Sequence, residues 1–306
     1  MTEGGARRDT PGFHRQVPMS NQALENASKE TSTVMSWLGY GPEIRRARGD
    51  EYRKLGKNNS SGVVTWSIVG SKAEGLTCVF ESDQDMLKIL NSVICLEDGV
   101  NASTFHREMT VLRSYSRLSY PGHCRLLLER SGTPIPSKVN DAFCDDEYGR
   151  EILSNDLYLK NWSKKLPGEN VARAGPSLPT TLRGVLHYDN VHAFRYHCPH
   201  ILSKWAARPR HWPPPEAVQK VVSLGAFLAP VGFKGSEHKD FEWRVCFNAG
   251  EIELVNNLND TQIKVYVLLK MVKSAVLNPR KKEVSSYTLK NIVLWIAEKK
   301  SSVLVP

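Results

Sequence analysis

The stretch VVTWSIVGSKAEGL (63–76), with the DQDMLKIL (83–90) that follows it, decides how this 306-residue chain is read. Val63–Val69 is β-branched and aromatic, the composition of a strand. It runs straight into Gly70-Ser71, and a glycine at the start of a short helix lets an anion approach free backbone N–H groups. Asp83–Leu90 reads as a second strand, in which Asp83 and Asp85 stand at i and i+2 and face one side. Strand, Gly-Ser turn, short helix and acidic strand make the opening of an α/β unit.

Two carboxylates held that close repel unless a cation sits between them. A hard divalent ion, Mg²⁺ or Mn²⁺, takes oxygen ligands and keeps positions for water or phosphate. The competing reading is an exposed acidic pair at a strand end. A third acid, Asp189, lies in GVLHYDNVHAFRY (184–196), which also reads as a strand. An aspartate there is either a metal ligand or an exposed partner of His187 or Arg195.

Upstream, Asn58–Gly62 breaks the pattern, and EIRRARGDEYRKLG (43–56) reads as a charged helix. Ile44, Ala47, Tyr52 and Leu55 form its expected buried edge, with Arg45, Arg46, Arg48, Arg53 and Lys54 exposed. Residues 1–33 are polar and lack an apolar period, and read as a disordered tail without a signal-peptide core.

Downstream, Arg125–Glu129 reads as a strand, 151–165 as a helix and 170–182 as a loop. Pro213-Pro214-Pro215 implies an extended connection, and VVSLGAFLAPVGF (221–233) the last sheet element. From Ala249 the period is helical, with Asp260 and Ser285 as N-caps.

No run approaches a membrane span, and six cysteines without CxxC pairs read as reduced thiols. These features place the chain in the cytoplasm, with the nucleus as the alternative. The net charge of +9 suits a polyanionic partner or a merely basic surface. The cluster His187, His192, His197, Cys198 and His200 matches no common zinc spacing.

Four blocks in order then carry a resemblance. They are GSKAEGL with ESDQDML, YDNVHAF followed by Trp212-Pro213, EWRVCFNAGEIELVNNLNDTQIK (242–264), and SSYTLKNIVLWIAEK (285–299). Together they resemble the Mab (male-abnormal) nucleotidyltransferase-like family, which includes the cyclic GMP–AMP synthase-like receptors. The resemblance implies an α/β + α fold: a polymerase-beta-like mixed-sheet lobe over 34–248 with an N-terminal spine helix, and a helical lobe over 249–306 that stops short of the family's usual length.

It implies a cytosolic sensor that makes a cyclic dinucleotide from nucleoside triphosphates, ATP or GTP, once double-stranded RNA binds its basic surface. Asp83, Asp85 and Asp189 would be the catalytic, metal-holding set. Gly70 and Ser71 would hold phosphates, and Arg244, Lys270, Ser286 and Tyr287 would contact nucleotide, the tyrosine by stacking on a base. Cys246 and Asn248 depart from the family's small hydroxyl residues, and the zinc insertion of DNA-sensing synthases is missing. The alternatives are a non-catalytic relative that keeps the fold and a transferase acting on RNA ends or a small molecule.

Overall fold

The apolar run from Met86 to Leu96 is buried on both faces, the signature of a strand flanked on both sides in a parallel arrangement. The computed structural model, which describes residues 20–78, 80–163, 173–277 and 284–299, bears this out. Its strands are β1 (Val64–Ile68), β2 (Gln84–Leu96), β3 (Thr110–Tyr115), β4 (His123–Arg130), β5 (Phe143–Asp145), β6 (Glu151–Leu153), β7 (Ser177–Leu182), β8 (Leu186–His197), β9 (Ala226–Ala229) and β10 (Glu242–Cys246). The helices are α1 (Asn21–Met35), α2 (Pro42–Asn59), α3 (Gly70–Ala73), α4 (Ser137–Asn140), α5 (Asn155–Ser163), α6 (Pro199–Ala206), α7 (Pro215–Leu224), α8 (Asn248–Asn256), α9 (Asp260–Val272) and α10 (Ser286–Lys299).

The sheet does not stay open. β2 pairs in parallel with both β3 and β8, and the path β2-β3-β4-β10-β9-β8 returns to β2. The result is a closed mixed barrel with β1, β5, β6 and β7 as additions. The expected polymerase-beta-like lobe followed by a helical lobe is therefore overturned. The physical reason lies in β2 itself: its ladder with β8 slips between Ile89 and Ile94, and beyond the slip Ile94, Cys95 and Leu96 pair with both neighbours. An irregularity of this kind bends a strand and lets a sheet curl.

Side chains from all the ring strands meet in one cluster, among them Leu90, Cys95, Leu112, Leu126, Phe194, Leu228 and Trp243. Tyr158 of α5 joins them, with ring centroids 5.1 Å from Phe194 and 5.4 Å from Trp243. A second cluster joins α8, α9 and α10 to Met35 of α1 and to Leu76.

Several expectations change. Residues 21–33 belong to α1 rather than to a tail, and 1–19 lie outside the described residues. Helix α2 buries Arg45, Gly49, Tyr52 and Gly56, while Ile44 and Leu55 are exposed. Its inward face is built for close approach: a Cβ on Gly56 would stand 2.9 Å from the Trp66 carbonyl oxygen. The 170–182 loop contains β7, and Pro215 opens α7, a position where proline's missing N–H costs nothing. The last sheet element is β10, and Asn259 rather than Asp260 caps α9 in a capping box with Gln262. No helix among the described residues is long and apolar enough to cross a membrane.

Candidate active-site cleft

Parallel pairing of β2 with β8 sets Asp85 directly opposite Asp189. Residues so paired point to the same face, so the two carboxylates share one opening. They line a cleft of about 530 Å³ together with Gly70, Arg244, Asn248, Tyr287 and Lys290. The next pairs along that face, Leu87 with Val191 and Ile89 with Ala193, pack with Val69 and Phe227 beneath α8.

Gly70 opens α3 with φ +67, a conformation that favours glycine. A Cβ there would lie 2.4 Å from Asp85 Oδ2, so only glycine permits this backbone to touch the carboxylate. Asp85 opens onto the cleft yet is crowded by protein on its other sides. That burial pushes its pKa up to about 6 from the ordinary 3.8, Asp189 and Asp83 add like charge, and Lys290 pulls the other way. Asp189 accepts a hydrogen bond from the Ser177 hydroxyl at 2.8 Å. Its two expected partners lie elsewhere: His187 is 3.0 Å from the Thr181 hydroxyl, and the Arg195 guanidinium lies over the Phe227 ring.

Asp83 stands just before β2, exposed, and does not line the cleft. The three-aspartate metal set is thus only partly assembled, and no group of three or more His, Cys, Asp or Glu suited to a metal is found among the described residues. Strand alternation predicted one face for Asp83 and Asp85, but the strand begins at Gln84 and frees Asp83 from that constraint. The histidines also part company: His192 stacks on Trp162 at 3.8 Å, His197 lies edge-on to Phe105, and His200 lies 3.5 Å from Glu97.

Lys270 donates to the Ser71 hydroxyl at 2.8 Å, joining α9 to the Gly-Ser turn. Burial pulls its pKa down, partly offset by Glu74. Neither it nor Ser71 is among the cleft-lining residues; Ser286, at the first turn of α10, does not line it either. Tyr287, 58% exposed, stands at the cleft with the Lys290 ammonium 6.0 Å from its ring centroid. Arg244 lines the cleft from β10, and Glu242, two residues before it, turns inward to accept from Phe233 N and Ser236 Oγ.

Sequence reasoning missed Lys290. It is buried between Glu74 and Glu251, at 2.7 and 2.9 Å, and ties α10 to α8 and to the turn after α3. The contact with Glu74 pairs the charges without hydrogen-bond alignment, since both Glu74 oxygens lack a hydrogen-bond partner. Burial opposes the lysine's charge, but Glu74 and Glu251 outweigh it and raise its pKa. Its signal was its place in SSYTLKN, one turn beyond Tyr287 on the same face of a helix. Ser177 gave no signal, because it lies in a stretch read as loop. No family model matches the sequence.

Proposed function

We propose that the chain is a metal-dependent nucleotidyltransferase of the cyclic GMP–AMP synthase-like kind, joining nucleoside triphosphates into a cyclic dinucleotide. The observation that carries this reading is the Asp85–Asp189 pair, placed face to face with Gly70 against it. Two acids so crowded that one has its pKa pushed up to about 6 fit a divalent cation, which would relieve their mutual repulsion. Mg²⁺ or Mn²⁺ held by Asp85 and Asp189 would neutralise phosphate charge and acidify an attacking hydroxyl.

The chain's own groups supply the rest. Gly70 lets a triphosphate approach the backbone, Arg244 faces a base edge, and Tyr287 offers a ring for stacking. Ser177 holds the Asp189 carboxylate in place. The exposed cations of α2, including Arg46, Arg53 and Lys54, suit double-stranded RNA, which is read by backbone and shape. Such a sensor would act in the cytoplasm.

The test is incubation of the purified chain with ATP, GTP and Mg²⁺ or Mn²⁺, with and without double-stranded RNA. A phosphatase-resistant dinucleotide, absent from Asp85→Asn and Asp189→Asn variants, is the expected product. Asp83 standing outside the cleft favours a second reading, a relative that binds nucleotide without turnover. Metal-dependent nucleotide binding with no product under any condition would select it.

A further inference from the structure

A second cavity, of about 730 Å³, lies between the α6–α7 connection and the end of α10. Arg208, Arg210, His211, Trp295, Glu298 and Lys299 line it, and among the described residues it shares none with the Asp85–Asp189 cleft. Arg210 is the built element. Its side chain is only 7% exposed, and its guanidinium stacks on Trp205 at 4.3 Å. Nε donates to the Arg208 carbonyl at 3.1 Å and Nη2 to the Trp205 carbonyl, while Nη1 has no partner.

The charge at this wall is unbalanced. Among the described residues Glu298 is the one carboxylate lining it, 3.3 Å from Arg208 and 3.9 Å from Arg210, and Lys299 adds a third cation. A buried guanidinium whose nearest acid is shared and distant is poorly compensated. Burial indeed pulls Arg210 below its ordinary pKa, with Glu298 opposing and Arg208 reinforcing that pull. Beside these cations Trp295 is 62% exposed, although Val293 and Leu294 next to it are buried. Cations that want an anion, next to an open flat ring, are the chemistry of a phosphate ester carrying an aromatic base.

We infer that this cavity is a second nucleotide site, with phosphate on Arg208 and Lys299, backed by Arg210, and the base on Trp295. A free nucleotide and a nucleic-acid strand share that chemistry. The site is independent of the activity proposed above. It is nonetheless mechanically joined to the cleft, since α10 carries Tyr287 and Lys290 at its start and Trp295 and Glu298 near its end. At 1.5 Å per residue, Tyr287 and Glu298 stand roughly 16 Å apart along one helix.

The experiment measures binding of a fluorescent ADP and of a labelled short oligothymidylate to the full chain. Three proteins are compared: the parent, the exposed-pair variant Arg208→Glu/Trp295→Ala, and the cleft variant Arg244→Ala/Tyr287→Ala. Both pairs are on the surface, and circular dichroism confirms folding. The expected result is binding about tenfold weaker in the exposed-pair variant, the loss of one stacking contact and one phosphate contact. A component of binding should survive in the cleft variant. Loss of oligothymidylate binding alone in the exposed-pair variant assigns the site to a strand, and loss of ADP binding assigns it to the free nucleotide. Unchanged binding of both probes in that variant, or complete loss of both in the cleft variant, overturns the inference.

Discussion

The β2–β8 ladder holds two environments within five residues. Asp85 and Asp189 face each other at one end, and Ile89 and Ala193, at 1% and 0% exposure, face each other four residues on. The strands, the pairing and the face are the same; only the side chains differ. The acidic end requires Gly70 at φ +67 and a hydroxyl from Ser177, whereas the apolar pair is held by packing with Val69 and Phe227. Where the period-2 apolar pattern is interrupted by charge, the structure has supplied supporting contacts, and that makes the interruption the candidate site. The contrast predicts large stability losses when the packed parts are disturbed, and small losses or gains when the acids are neutralised.

Trp243 gives the largest expected effect. It is fully buried, packs against Phe194 and Tyr158, and donates from its indole to the Leu153 carbonyl at 3.1 Å. Trp243→Ala should lower unfolding free energy by about 3–5 kcal/mol, read from urea denaturation. A cost below about 1 kcal/mol would mean that the barrel interior is not the stabilising region. Next comes Lys290→Met, which leaves Glu74 and Glu251 facing each other without their cation. Removing one partner of a buried ionic group costs about 3 kcal/mol. Rescue by the added Glu74→Gln substitution would show that the loss is electrostatic, and no rescue would assign it to packing.

This charged triad and the closed barrel were the parts least legible in the sequence. The strand at 63–69, the Gly-Ser turn and the acidic segment could be read because their signals are local: β-branched runs, a glycine after a strand, carboxylates at spacing two. Helix α10 could be read from its period. Closure could not, because it depends on Cys95 and Leu96 pairing with two strands at once, which no local pattern records. Nor could β7, whose Pro179 and threonines read as loop yet pair with Asp189, Tyr188 and His187. Of the residues singled out from sequence, Asp85, Asp189, Gly70, Arg244 and Tyr287 line one cleft. Asp83 precedes the first residue of β2 and does not line the cleft, although its charge still reaches Asp85.

The opposite face of the same ladder sharpens the contrast through pH. His192 pairs in register with Lys88 and lies stacked on Trp162. Burial first, and the Lys88 charge second, pull its pKa down to about 3 from 6.5. Between those values the unfolded chain carries the extra proton, so stability is complete above 6.5 and falls as pH drops toward 3. The slope is about 1.4 kcal/mol per pH unit from this one group. Urea unfolding at pH 7 and pH 5 should therefore show a smaller difference in His192→Phe, which keeps a ring against Trp162. An equal difference in both proteins would place the pH sensitivity elsewhere.

The smallest effect has the opposite sign. In Asp85 the pKa is raised, from 3.8 to about 6, so its charge is carried at a cost to the folded state once the pH exceeds 6. Asp85→Asn removes the repulsion from Asp189 and Asp83 while keeping the shape of the side chain. At pH 7.5 without divalent cation, the variant should be about 1 kcal/mol more stable than the parent, allowing for solvent screening of a group that opens onto the cleft. At pH 5 the parent's carboxyl is largely protonated, and the gain should shrink. The same substitution removes half of the facing acid pair, so the proposed nucleotidyl transfer should be lost where stability is gained. That opposition is the expected behaviour of a residue retained for chemistry rather than for folding. A variant destabilised at pH 7.5 would instead make Asp85 a structural acid, and the two ends of the ladder would then differ in polarity but not in purpose.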